Sequence, residues 1–212
     1  MTSDAINELV KRLAELPTQE GLSNPYAPPD DPWAAIRRAN LTRYLNDMLQ
    51  RQPTVLLLAE APGYRGCALS GIPVTSERIM LRGIPKWGLF GEGYQATSGY
   101  PNGVAEMTAT ILWDALEQFA PQPPLIWNAL PLHPHHAARP QSNRAPSVKE
   151  RRMGIPILLQ TIALFAPQII LAVGRTAQRT LDEIGLPYIL LRHPSQGGKA
   201  EFVRGLREAL GV

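Results

Sequence analysis

Four apolar runs of strand length alternate with stretches of helical periodicity, and this order constrains the fold more than any other feature. The runs are Thr54–Ala59, Leu125–Leu130, Gln168–Val173 and Tyr188–Leu191. They are apolar throughout rather than alternating, which predicts strands covered on both faces of a parallel sheet. Strands alternating with helices imply right-handed crossovers. In such a sheet the carboxyl ends of all strands share one edge, where ligands bind. Two of the runs end in chemistry. The first is followed by Glu60-Ala61-Pro62-Gly63, and the last by Arg192-His193-Pro194-Ser195.

The helices follow from periodicity and stop signals. Asp4–Leu16 carries Ile6, Leu9, Val10 and Leu13 on one face. A Pro- and Gly-containing loop spans 17–31, and Asp31-Pro32 reads as an N-cap with Pro at the first helical position. That helix is expected to reach about Gln50, with Trp33, Ile36, Leu41, Tyr44, Leu45 and Met48 inward and Pro53 as its stop. A long glycine-rich segment, Gly63–Tyr100, is expected to be functional or partly helical, with a short helix near Thr75–Leu81. Gly103–Phe119 predicts a helix with Met107, Ile111, Leu112, Leu116 and Phe119 inward. Ser147 and Glu150 form a capping box that opens a helix to Phe165. Thr176–Ile184 and Lys199–Leu210 complete the set, with Gly185-Leu186-Pro187 between them as a stop. The expectation is a three-layer α/β/α domain over 1–212 around a four-stranded parallel sheet, with 1–53 as a helical N-terminal extension.

Composition excludes several classes. The one cysteine, Cys67, rules out an intrachain disulfide framework and a cysteine-held iron–sulfur cluster. His133, His135 and His136 lie together, but without cysteine partners or an HExxH helix they do not make a zinc motif, and no metal or cofactor is expected. No apolar run is long enough to cross a bilayer, and the first twenty residues lack a signal-peptide core, so a cytoplasmic location is expected. The net charge of +3 suits a polyanionic partner without requiring one. GxGxxG and GxxxxGK[ST] phosphate loops are both missing.

Three residues at strand ends carry possible chemistry. Glu60 alone reads as an incidental carboxylate in a strand–helix turn. Beside an apolar run it is costly without a partner or a task, which favours a water-orienting or cation-stabilising role. His193 reads either as a satisfied edge histidine or as a neutral imidazole that donates to a developing oxyanion. Asn128, within an apolar run, must find partners, either in neighbouring backbone or in the edge of a base. The stretch Pro194-Ser195-Gln196-Gly197-Gly198 permits close approach of backbone to phosphate.

These residues together resemble the uracil-DNA glycosylase superfamily over about 54–210. Ala59-Glu60-Ala61-Pro62-Gly63 resembles the GEAPG water-activating motif of its iron–sulfur branches, and Gly71-Ile72-Pro73-Val74 the adjoining G-x-P-F segment. Asn143-Arg144-Ala145-Pro146 resembles the N-R-x-P loop, Val173-Gly174-Arg175-Thr176-Ala177 the L-G-x-x-A segment, and His193-Pro194-Ser195 the H-P-S motif. Asn128 falls where the superfamily commonly carries a base-reading Asn. The chain departs from the pattern in three places. With Cys67 alone it belongs to a branch without the cluster. Val74 stands where an aromatic ring would stack on the flipped base, and Tyr64, Trp87 and Phe90 are candidates to supply the ring instead. Arg82–Tyr100 looks like an insertion. The Lys-Arg-Arg-Ile-His run of the branch that bonds covalently to DNA is missing.

The resemblance implies a glycosylase that hydrolyses the N-glycosidic bond of uracil, or a related deaminated base, in single- or double-stranded DNA during base excision repair. Glu60 and His193 would be catalytic. Asn128, Ala61, Gly63 and Val74 would hold the base. Asn143, Arg144, Pro194, Ser195, Gln196 and Gly197 would grip the DNA, with Gln196 as a wedge. The chain is expected to be a monomer that needs neither metal nor membrane. A non-catalytic DNA-binding member of the same fold is the alternative, and an unrelated α/β protein binding a small molecule is a third reading.

Overall fold

The computed structural model describes residues 2–28 and 31–212, so positions 29 and 30 of the expected 17–31 loop lie outside the described residues. The chain begins with α1 (Thr2–Ala14), a short strand β1 (Leu22–Ser23) and α2 (Pro32–Arg51). The central motif starts with β2 (Val55–Ala59), followed by the short helices α3 (Cys67–Ser70) and α4 (Glu77–Arg82) and then α5 (Met107–Phe119). Next come β3 (Leu125–Asn128), β4 (His133–Pro134), α6 (Val148–Phe165), β5 (Ile169–Val173), α7 (Gly174–Ile184), β6 (Ile189–Leu191) and α8 (Lys199–Leu210).

The sheet is parallel with order β3-β2-β5-β6. From β2 the chain crosses through α5 to β3, then returns past β2 through α6 to β5. Right-handed crossovers therefore put α5 on one face and α6 and α7 on the other. The helix contacts agree: α6 touches α7, and α5 touches α8. The adjacent strands β2 and β5 thus send their connections to opposite faces. A crevice opens at their carboxyl ends, the topological switch point where ligands bind in open α/β sheets.

Local signals account for most boundaries. The Asp31 side chain accepts from Trp33 N–H and starts α2. Ser147 and Glu150 form the expected capping box. The run expected to reach Leu130 pairs as a strand only to Asn128. Backbone N–H groups of Ala129 and Leu130 still donate to the carbonyls of Ala59 and Glu60, so the chain stays beside the end of β2. The helix expected from Gly103 begins at Met107, because the Glu106 carboxylate caps it by accepting from Thr108 N–H and Ala109 N–H. Its buried residues are Ala109, Leu112, Trp113, Ala115 and Leu116, while Met107, expected inward, is exposed. Trp33 is likewise exposed, and so are Ile169, Ile189 and Leu190, which leaves the β6 edge only partly covered.

The N-terminal helices are not an appendage. Ile6, Leu9, Val10, Leu13, Tyr44 and Met48 share one apolar cluster with sheet residues such as Leu57 and Leu171. The Tyr44 hydroxyl accepts from Ile126 N–H of β3. The segment expected to be an insertion is structural over much of its length: Ile84, Leu89, Phe90 and Tyr94 join the same cluster. Strands β1 and β4 pair antiparallel, outside the expected set of strands.

Candidate active site

At the switch point lies a cavity of about 400 Å³, within the range of small-molecule sites. Strand β2 delivers Ala59 to its wall, and the turn after it supplies Glu60, Ala61, Pro62 and Gly63. The cavity is completed by Cys67 and Val74, by Glu106 and Thr108 at the start of α5, by Asn143 and Arg144, and by His193, Ser195 and Gln196 after β6.

Glu60 is held across the crevice. Its Oε2 accepts from the Thr176 hydroxyl at 2.5 Å, so the first turn of α7 orients a carboxylate that belongs to β2. Gly174 begins this turn with φ +80, a conformation glycine adopts without steric cost. A Cβ there would lie 3.3 Å from Cβ of His193. The bare backbone therefore lets the loop after β6 close against the loop after β5.

The tautomer of His193 is set by Ser195. The Ser195 backbone N–H donates to Nδ1 at 3.2 Å, and the Ser195 hydroxyl lies 2.7 Å from the same nitrogen. With Nδ1 accepting, the proton of the neutral ring sits on Nε2. Burial lowers the imidazole's affinity for a second proton, against the pull of the Glu60 and Glu106 carboxylates and with a smaller push from Arg192. The ring is thus a neutral Nε2–H donor at neutral pH.

Asn128 is not among the residues that line the cavity. It pairs in register with Ala59, which does. It is buried, and neither its Oδ1 nor its Nδ2 makes a hydrogen bond of ordinary geometry, although the amide lies close enough to act on the Cys67 thiol. The nearby Cys67 thiol is pushed up to about 12 by burial, with the Tyr26 hydroxyl, Arg37 and the Asn128 amide opposing. Burial thus favours the thiol over the thiolate at this position.

Among the residues expected to grip DNA, Asn143 and Gln196 are exposed at the cavity rim. Asn143 Oδ1 accepts from Tyr64 N–H and ties its loop to the Glu60 turn. Arg144 is already committed. Its guanidinium donates to both oxygens of Glu150 and to the carbonyls of Gly21, His135 and Ala145. It fixes the loop rather than offering a free cation. Pro194 is buried and outside the lining, and Gly197 faces a separate concavity along α8.

None of the proposed substitutes for the missing ring enters the cavity. Phe90 packs against Tyr44, Tyr94 and Trp113 in the core, and Trp87 packs edge-on against Trp113. Tyr64 lines an adjoining groove. Val74 itself holds the position with φ 47, a strained conformation for a β-branched residue. Its carbonyl accepts from the Trp113 indole, which helps fix that backbone. Glu106 escaped sequence reasoning because a helix start at Gly103 would have put it inside the helix, facing no particular site.

A parallel sheet with this order thus brings a carboxylate and an imidazole to one cavity at its carboxyl edge, with a buried amide in the neighbouring strand. The family model of the uracil DNA glycosylase superfamily matches residues 47–206, and the chain belongs to that superfamily. The crystal structure of wild-type SMUG2 from Pedobacter heparinus has the same fold. It aligns with a TM-score of 0.66 at 17% identity over 99% of this chain and 97% of that one. No curated protein sequence matches the chain. Among the described residues no group of three or more His, Cys, Asp or Glu is placed to hold a metal ion, and no helix is long and apolar enough to cross a membrane.

Proposed function

We propose that the chain is a DNA glycosylase that hydrolyses the N-glycosidic bond of uracil or a related deaminated base. The target base must leave the stack to reach a cavity of this kind. As the bond between the sugar C1′ and the base nitrogen breaks, positive charge grows on the sugar and negative charge on the base. Glu60, oriented by Thr176, faces the sugar. It stabilises the cation and accepts a proton from the water that attacks C1′. His193 donates from Nε2 to the oxyanion on the departing base, and its neutrality lets the hydrogen bond strengthen as charge develops. Asn128, in register with Ala59 of the cavity wall, takes up the base edge with its buried amide once the base is seated. Ala61, Gly63 and Val74 flank the base, while Asn143, Ser195 and Gln196 contact the strand.

The observation that carries this reading is the joint placement of Glu60 and a neutral, tautomer-fixed His193 on one cavity in a member of this superfamily. Its test is release of free uracil from single- and double-stranded oligonucleotides containing one uracil, with His193→Ala as control. The enzyme reading expects release by the wild type and slow release by the variant. The cavity's lack of a stacking ring favours one second reading, a DNA-binding member without activity. Salt-dependent binding with no release from either substrate would support it.

A further inference from the structure

His133 belongs to the histidine cluster of the sequence, yet both of its ring nitrogens are committed to backbone. Nδ1 lies 2.7 Å from the carbonyl oxygen of Pro62, and Nε2 lies 3.1 Å from that of Pro140. We propose that His133 is a positioning residue for Glu60, its Nδ1–H holding the Pro62 carbonyl and with it the turn that carries the carboxylate. The inference rests on the glycosylase reading for the reaction it serves.

The chemistry of the contacts assigns the proton. A carbonyl oxygen only accepts, so a ring nitrogen beside one is satisfied only when it carries hydrogen. Burial disfavours the imidazolium, and the nearby His135 and Arg144 act the same way against the pull of the two carbonyls. The neutral ring has one proton for two acceptors, and the shorter contact takes it. Nδ1–H therefore donates to Pro62. The residue is 4% exposed, which keeps water from competing for the bond.

The turn needs this support. Between Glu60 and Gly63 the chain belongs to neither β2 nor α3. The Glu60 carbonyl accepts from Leu130 N–H at 3.0 Å, which fixes one end. Pro62 has no N–H to offer, so its carbonyl is the group by which the turn can be held further along. The bond from Tyr64 N–H to Asn143 lies beyond it and is exposed to water. The buried imidazole is thus the stiff second pin. Without it the turn can pivot about the Leu130 bond, and the Glu60 carboxylate shifts against Thr176.

The ring is itself presented from a fixed ribbon. Ser23 of β1 pairs with His133 of β4, and Leu22 with Pro134. The next N–H, of His135, donates to the Gly21 carbonyl at 2.9 Å, and the Arg144 guanidinium donates to the carbonyls of Gly21 and His135. Gly21, at φ +73, allows this closure; a Cβ there would stand 2.9 Å from the His135 oxygen. The His135 ring lies against His133 with centroids 5.3 Å apart. A segment outside the central sheet therefore reaches the reacting carboxylate through one imidazole.

The experiment separates the two ring nitrogens in the full chain. An asparagine amide places its N–H about where Nδ1 sits, and a glutamine amide about where Nε2 sits. Thermal midpoints of His133→Asn and His133→Gln check that both remain folded. Single-turnover release of uracil and affinity for the same oligonucleotide are then measured. His133→Asn is expected to retain most of the wild-type rate, and His133→Gln to lose about tenfold or more, with affinity changed less than about twofold in both. Equal rates in the two variants, or a loss in affinity alone, would overturn the positioning role. The nitrogen NMR shifts of the wild-type ring are expected to show Nδ1 protonated, and an Nε2–H tautomer would overturn the assignment even where a variant failed to fold. Absence of release by the wild type would sink the glycosylase reading, whereas wild-type release with indistinguishable variants would sink this inference alone.

Discussion

The hydroxyl of Thr176, in the first turn of α7, donates to Oε2 of Glu60 at the end of β2 and so ties the two strands on either side of the switch point. A hydrogen bond to a charged group contributes about 1.5–3 kcal/mol. Thr176→Val, nearly isosteric, is expected to reduce single-turnover base release by about ten- to a hundredfold with little effect on DNA affinity. A loss confined to affinity would show that the carboxylate does not depend on this tether.

The protonation of His193 sets the acid limb of activity. Burial lowers its pKa, and only the neutral ring offers Nε2–H with Nδ1 accepting from Ser195. Release should therefore be lost as pH falls through a value below the ordinary imidazole figure of about 6.5. A pH–rate profile whose histidine-dependent limb lay above that figure would contradict the assignment.

Asn128 predicts a separation of stability from activity. Its buried amide makes no hydrogen bond of ordinary geometry, a cost of about 1–3 kcal/mol. Asn128→Leu is expected to leave the urea midpoint unchanged or raised while lowering base release at least about tenfold. Destabilisation with normal release would make the amide a structural group.

The Arg144–Glu150 pair predicts the behaviour in acid. The Arg144 guanidinium holds the Glu150 carboxyl down at about 2 from an ordinary 4.5. A depressed carboxylate stabilises the fold above its unfolded pKa, and that contribution disappears as pH falls from about 4.5 towards 2. Glu150→Gln should flatten the fall in unfolding free energy across this window. Identical slopes in urea titrations of wild type and variant would exclude the pair as the source.

Much of the site was legible in the sequence because strand ends are marked by abrupt changes in polarity. Glu60 and His193 each follow an apolar run, and a parallel sheet brings such positions to one edge. Other features depend on tertiary contacts that no local pattern carries. Arg144 looks like a free cation until Glu150 folds back on it. Met107 fits a helical stripe whose phase shifts once Glu106 starts the helix. Strands β1 and β4, of two residues each, are too short to show a period. Trp87 and Phe90 carry rings of the right type, but packing against Trp113 commits them to the interior.

The central claim is that Glu60 acts on the reacting sugar from this cavity. Single-turnover release of uracil by Glu60→Gln, measured beside its affinity for the same oligonucleotide, tests it most directly. The account predicts a rate lower by about a hundredfold or more with affinity nearly unchanged. Wild-type release by the variant would contradict it.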